Sequence, residues 1–381
     1  AMLRVTDAYG PIPYSKMQNG TFSVPYDSQR DVYMAMIDDL DAAMETLYTF
    51  ASAGDGILMR DFDISSFKGD SRLWVSFANT LKLRMAVRMS GVEPEARRIA
   101  EEAVRDMATY GLIDANAENL SFSSDSRQNP FYTQATSTSW QDLRSNASIV
   151  MYMNAYEDPR RASYFSKSGY DGIYVGVRAG IQNVTPTDYA TYSYPLFAEK
   201  DPVPVMYASE SWFLRAEGAL LGWTMGDTAE NLYNTGVKTS LELWGNGSSY
   251  ETYIASETAP ALSYADPRNK HNVSDFGTAV SVKWADDGNE LVRIITQKWI
   301  ANHMIGHEAW ADVRRTGYPR LLQVVNNLSG GMWGNVDSSK GMRRLHYPQS
   351  EYDNNRENVL RGVELLGGSD LHGTDVWWAK K

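Results

Sequence analysis

Apolar residues recur at steps of three and four along several stretches of the chain, the mark of amphipathic helices. From Asp27 to Phe50 the stripe is Val32, Met36, Leu40, Ala43 and Leu47, with Asp27 or Ser28 placed to cap its start. Asp70 is a second N-cap. The helix it opens has Trp74, Phe77, Leu81 and Met85 on one face and Lys82, Arg84 and Arg88 on the other. Glu93 to Tyr110 predicts a third helix, with Pro94 in its first turn, Ile99, Ala103 and Met107 along one side, and Gly111 as its stop. Ala96, Ala100 and Ala103 allow close helix approach, as in helical-repeat units, although no strict repeat of sequence is present.

The rhythm breaks at residues 112 to 207, which hold ten of the 23 tyrosines among many Ser, Thr, Asn and Gly. Only Asn146 to Tyr156 reads as a helix there, and long irregular segments of this kind are usually functional or mobile. Helical spacing resumes with Trp212, Phe213, Ala216 and Leu220. It continues from Thr228 to Trp244 through Leu232, Tyr233, Val237 and Leu241, with Asp227 as cap. A second irregular block covers about 246–288. Near the start, Pro11, Pro13 and Pro25 with Gly10 and Gly20 exclude a long helix from residues 7 to 26.

One stretch, Thr296 to Pro319, has the look of a packing hub. Ile295, Trp299, Ile305, Ala309, Trp310 and Val313 keep helical spacing, and Gly306 predicts a bend between two helical pieces. Gly317 and Pro319 end the second piece. Gln297, Lys298, Glu308, Arg314 and Arg315 are interleaved with the aromatics rather than kept to one face. Such mixing predicts buried charges tied into a hydrogen-bonded scaffold.

This stretch, QKWIANHMIGHEAWADVRRTGYP, resembles the signature helix pair of the SusD/RagB family of nutrient-binding outer-membrane lipoproteins. Further resemblances follow in order: YGPIPYSKM, in which Pro11 replaces the family's acidic residue, then WVSFANTLKLRMAVRMS, VPVMYASESWFLRAEGALLGW and the tail RRLHYPQSEYDNNRENVLRGVELLGGSDLHGTDVWW. The resemblance implies one mainly α-helical SusD-like domain over residues 1–381. Tetratricopeptide-like helix pairs at about 27–111, 205–245 and 289–326 would form its scaffold, and the irregular blocks 112–204 and 246–288 its ligand face. It implies capture of an oligosaccharide at the cell surface and delivery to a SusC-like TonB-dependent transporter, with no catalysis and no cofactor. A peptide-binding RagB-like role or a glycoside hydrolase are the alternatives. The family's export signal, lipidated cysteine and opening helix do not occur in the sequence, so Met2-Leu3-Arg4 reads as a start in mid-fold, with outer-membrane attachment through an N-terminal lipid.

Composition narrows these expectations. A net charge of −11 argues against nucleic acid and strongly anionic ligands as main partners. With no cysteine there is no disulfide, thiolate metal site or cysteine nucleophile. No run approaches the ~18 to 20 apolar residues of a membrane span. Aromatic residues make up 12% of the chain, tyrosine leading, which fits either a core or a binding surface.

Candidate chemistry is sparse. His303 and His307 share a helical face, but Met304 stands where a zinc protease has its glutamate, so a structural pair is the simpler reading. Glu217 has apolar neighbours, which a buried pair with Arg314, Arg315 or Arg88 explains. Asp286 to Glu290 lacks the spacing of a calcium loop and reads as a solvated turn. What is left is aromatic. A sugar presents an apolar face and a rim of hydroxyls, which flat rings and Asn, Arg or Asp can meet. The candidates in loops are Tyr132, Trp140, Tyr170, Tyr174, Tyr192, Trp284 and Trp333, with Arg127 and Asn129 as polar partners and Tyr9 beside them.

Overall fold

A computed structural model describes residues 1–17, 20, 23–124, 128–136 and 143–380. Its helices, in order, are α1 (Met2–Tyr9), α2 (Gln29–Ala53), α3 (Ser71–Arg88), α4 (Ala96–Arg105), α5 (Met107–Tyr110), α6 (Pro130–Thr136), α7 (Ala147–Ala155) and α8 (Arg161–Tyr164). Then come α9 (Ala208–Leu220), α10 (Ala229–Leu243), α11 (Tyr250–Ile254), α12 (Glu290–Ala301), α13 (Gly306–Thr316), α14 (Gln349–Asn354) and α15 (Arg356–Leu366). Two small antiparallel pairs accompany them: β1 (Leu120–Phe122) with β2 (Val203–Met206), and β3 (Ala261–Tyr264) with β4 (Val273–Thr278).

The long helices start where the caps predict. Ser28 Oγ accepts from Asp31 N at 3.1 Å, and Asp70 accepts from Arg72 N at 2.8 Å. In α2 the buried face is turned from the expected stripe: Tyr33, Ile37 and Met44 are inside and Ala43 is exposed. The cause is packing on two sides, since Met44 meets Val75 and Ala78 of α3 while the Tyr33 hydroxyl donates to Asp7 of α1. The expected third helix is two, α4 and α5, meeting at Asp106. Gly111 is needed beside them, because a Cβ there would lie 2.3 Å from Ser76 Oγ. Helix α10 is capped by Thr228, which accepts from Asn231 N at 3.2 Å, one residue after the expected Asp227. Nor does the hub bend at Gly306. The chain turns over Asn302 to Ile305 with Met304 at φ 73°, and Gly306 is the first residue of α13.

The interleaved charges of the hub form the centre of the scaffold. Glu308 is 1% exposed and accepts from Arg84 at 3.4 Å and from Arg88. Arg84 also forks onto Glu210 of α9, with Nε and Nη2 both at 2.7 Å. Arg88 pairs with Asp7, whose carboxylate further accepts from Trp378 Nε1 at 2.8 Å. Lys298 lies 2.9 Å from Asp312, and Arg315 joins Asp312 at 3.0 Å to Glu217 at 2.9 Å. Burial alone would raise the Glu308 carboxyl; Arg84 and Arg88 outweigh it and hold the group well below the usual carboxylate range.

Around this centre the two ends of the described chain close on one another. Leu345 N donates to Ala8 O at 2.8 Å, the Arg344 Nη2 to Tyr9 O at 2.8 Å, and Trp377 N to Gln29 Oε1 at 2.8 Å. Tyrosine hydroxyls act as struts elsewhere, each donating to a carbonyl of an irregular or terminal segment. Tyr152 reaches Arg320 O (3.1 Å), Tyr156 Val280 O (2.9 Å), Tyr233 Val282 O (2.7 Å), Tyr264 Gly176 O (2.8 Å) and Tyr347 Pro11 O (2.7 Å). The irregular blocks thereby share a core of their own, with Met151, Val175, Tyr192, Leu262, Tyr264 and Leu322 packed together.

Removing one member of a buried charge set leaves its partners uncompensated. Glu308→Gln should therefore cost about 3–5 kcal/mol in urea unfolding. Arg361→Ala, which breaks an exposed pair with Glu357, should be close to neutral. Equal midpoints for the two variants would remove Glu308 from its central role.

Candidate functional site

A cleft of about 1130 Å³ opens where the hub meets the irregular blocks. One wall is the hub itself, with Trp299 from α12 and the turn Asn302 to Met304. Opposite stand Phe276 of β4, Arg178, and the segment 319–324 that follows α13. The wall is held by specific ties. Ser148 Oγ accepts from Leu322 N at 3.0 Å, and Arg178 donates to Gln323 O at 2.7 Å and to His271 O at 3.1 Å. Trp299 is half-buried, its ring in edge contact with Tyr152 at 5.7 Å. Arg320 is exposed, with its guanidinium 4.9 Å from the Phe276 ring centre. Rings and cations thus stand side by side, an arrangement that can hold the apolar face and polar rim of a ligand together.

Deeper in, Arg314 is clamped between Trp310 and Trp378, at 3.5 and 4.7 Å from the ring centres. It donates to the carbonyls of Asp7 (2.7 Å) and Arg343 (2.9 Å). Burial pushes its guanidinium down to about 9, which leaves it charged at neutral pH. His303 also lines the cleft, stacked on Tyr164 at 4.0 Å, and burial pushes its imidazole down to about 3. His307, four residues on, is exposed. No group of three or more metal-ligating side chains occurs among the described residues.

None of the described loop candidates lines this cleft. Tyr174 lines a smaller one of about 370 Å³, with the Arg161 guanidinium 5.8 Å from its ring and Asn154 nearby. Tyr192 is buried and its hydroxyl donates to Asp266, while Tyr170 meets it edge-on at 5.6 Å. Asn129 is 1% exposed; it accepts from Phe131 N at 2.8 Å and donates to Asp201 O at 2.9 Å, which makes it the cap of α6, on which Tyr132 sits half-buried. For Tyr192 and Asn129 burial replaces the expected loop exposure. Trp284 packs on Tyr233 at 5.5 Å and donates to Asp286 at 3.1 Å. Trp333 stacks on His346 at 3.4 Å, and Tyr9 on Tyr347 at 6.2 Å. Trp140 and Arg127 lie outside the described residues. Sequence reasoning missed Trp299 as a cleft residue because its helical spacing reads as core. Arg178 and Arg320 are lone arginines with no local signal.

The SusD-like family model, described as Susd and RagB outer membrane lipoprotein, matches residues 1–379. The chain belongs to the SusD-like family. Among solved structures, this SusD-like chain is similar to a chitin-binding SusD homologue from Flavobacterium johnsoniae, at 39% identity and a TM-score of 0.92, over 100% of this chain and 78% of that one. It is similar to a SusD homologue from Bacteroides uniformis at 42% identity and TM-score 0.91, over 100% and 79%. A SusD homologue from Bacteroides thetaiotaomicron follows at 40% and 0.89, over 100% and 79%. No curated protein sequence matches. The mainly helical architecture is that of these SusD homologues, as the resemblance implies.

The buried His303 gives a pH dependence with a definite sign. The unfolded chain takes up a proton near pH 6.5, which the folded protein refuses until about pH 3. Its contribution is full above pH 6.5 and is lost as pH falls through that window. Between pH 6 and 5 it should remove about 1 kcal/mol of stability per pH unit. His303→Phe, which keeps the stack on Tyr164, should flatten that slope in urea unfolding. An unchanged slope would mean that His303 titrates normally.

Proposed function

We propose that this protein captures an oligosaccharide at the outer-membrane surface and hands it to a SusC-like TonB-dependent transporter, breaking no bond. The observation that carries this reading is the likeness, over all of this chain and 78% of the other, to a chitin-binding SusD homologue at 39% identity. The cleft supports it: Trp299 and Phe276 supply flat faces for sugar rings, and the cations beside them supply donors for the rim. Glycoside hydrolysis needs two carboxyl groups flanking one bond. Among the described lining residues there is a single carboxylate, Asp375, and it is paired with Arg343. No described helix is long and apolar enough to cross a membrane, so membrane residence would come from a lipid anchor and from docking on the transporter. Tyr174 and its neighbours in the smaller cleft would extend the same ligand face.

A glycan and peptide array followed by calorimetry tests the reading. Oligosaccharides should bind, day-long incubation should release no shorter products, and Trp299→Ala should weaken binding about five- to thirtyfold, as loss of about 1–2 kcal/mol of ring contact implies. Its unfolding midpoint serves as the control for folding. Binding of peptides alone would move the protein to a RagB-like role, and turnover of any sugar would refute capture without catalysis.

A further inference from the structure

Charge in the larger cleft runs against the charge of the molecule. The chain carries 47 acidic and 36 basic residues. Yet the cleft is lined by Arg178, Arg314, Arg320, Lys340 and Arg343 against Asp375 alone. Arg343 is matched by Asp375 at 2.5 Å, and Lys340 shares the field of Asp337. Arg178, Arg314 and Arg320 form no ion pair among the described residues. Arg178 and Arg314 donate to backbone carbonyls only, and Arg320 lies over Phe276.

Two interior observations sharpen the imbalance. Arg314 is 3% exposed, and its Nε and Nη2 have no hydrogen-bond partner. Asn302, 2% exposed in the same wall, has both amide atoms unpartnered. The carboxylate that favours its charge, Asp7, is already engaged by Arg88 and Trp378. A buried cation with no ion pair of its own is costly, because its field is poorly screened by the low-dielectric surroundings. That field acts in the cleft, where an arriving anion would complete it. The exposed Arg320 provides a guanidinium fork, whose donors match the paired oxygens of a carboxylate or sulfate, and the half-buried Arg178, tied to His271 O and Gln323 O, adds a second fixed cation.

We propose that the cleft selects an acidic saccharide, its sugar faces against Trp299 and Phe276 and its anionic group held by Arg178 and Arg320. The anionic group is a ring carboxylate, as in a uronic acid, or a sulfate ester; both offer the planar or trigonal oxygens that these arginines fit. The proposal rests on the glycan-capture reading and names the class of glycan. It also limits the inference drawn from net charge: the whole molecule repels anions at long range, while the cleft accepts one at contact.

Calorimetry with two matched pairs separates the sources. One pair is a panel of oligouronates and their neutral methyl esters, and the other sulfated galactan oligomers and their desulfated forms. At least one acidic member should bind, its neutral counterpart should be weaker by about tenfold or more, and added sodium chloride should weaken the acidic ligand alone. Arg320→Gln, at an exposed position that leaves the fold intact, should reproduce the loss seen with the neutral counterpart, and so should Arg178→Gln. Whichever pair shows the difference identifies carboxylate or sulfate. If neutral oligosaccharides, chitooligosaccharides included, bind as tightly as the acidic ones and ignore Arg320→Gln, the acidic selectivity is wrong while glycan capture stands. If no saccharide binds, or only peptides do, both fall.

Discussion

The scaffold depends on one carboxylate. Glu308 is buried between two arginines one helical turn apart, Arg84 and Arg88, and Glu210 and Asp7 complete the matching of those two charges. Arg84 has Glu210 as its second partner and Arg88 has Asp7, so α1, α3, α9 and α13 are fixed relative to one another by ion pairs with defined geometry. Apolar packing alone tolerates small slides between helices; a bidentate fork does not. Buried ion pairs add little net stability. Their effect here is on arrangement: they set which helix faces which.

Much of this was legible in the sequence, and the reason is local. The hub's charges sit between tryptophans, a pattern that no surface helix needs, and its pairing with buried partners follows from that mixing. Ser28 and Asp70 cap because a short polar side chain ahead of an apolar stripe has few other uses. Other features depend on distant residues. Tyr33, not Ala43, faces inward because Asp7 waits on another helix, and the turn at Met304 has no glycine to announce it. The candidate site fared differently from the fold. Trp299 looks like a core residue by spacing, and it is one along its edge on Tyr152, but its remaining surface lines the cleft. Arg178 and Arg320 become neighbours of that ring only through contacts spanning well over a hundred positions.

The abundance of tyrosine has a physical explanation in the irregular blocks. Such segments leave carbonyls without a helix or sheet to satisfy them, and burial makes each unsatisfied one expensive. A tyrosine fills space with its ring and delivers one donor at its far end, further from the backbone than serine or threonine can reach. The hydroxyls of Tyr152, Tyr156, Tyr233 and Tyr264 are spent in this way. Aromatic richness in this chain therefore reports on how loops are pinned as much as on ligand contact.

The closure between residues 7–29 and 344–378 bears on how the molecule is made. Asp7 finds Trp378, Tyr9 finds Arg344 and Gln29 finds Trp377 only once residues 344–378 have emerged. Pairings of such sequence separation are slow to form, since a long loop must close before they reward it. Until then α1 lacks one of its anchors, and the nascent chain stays open to chaperones and proteases. Residues 344–378 act as a latch on residues 7–29, so that closure of the scaffold waits until that segment has been made.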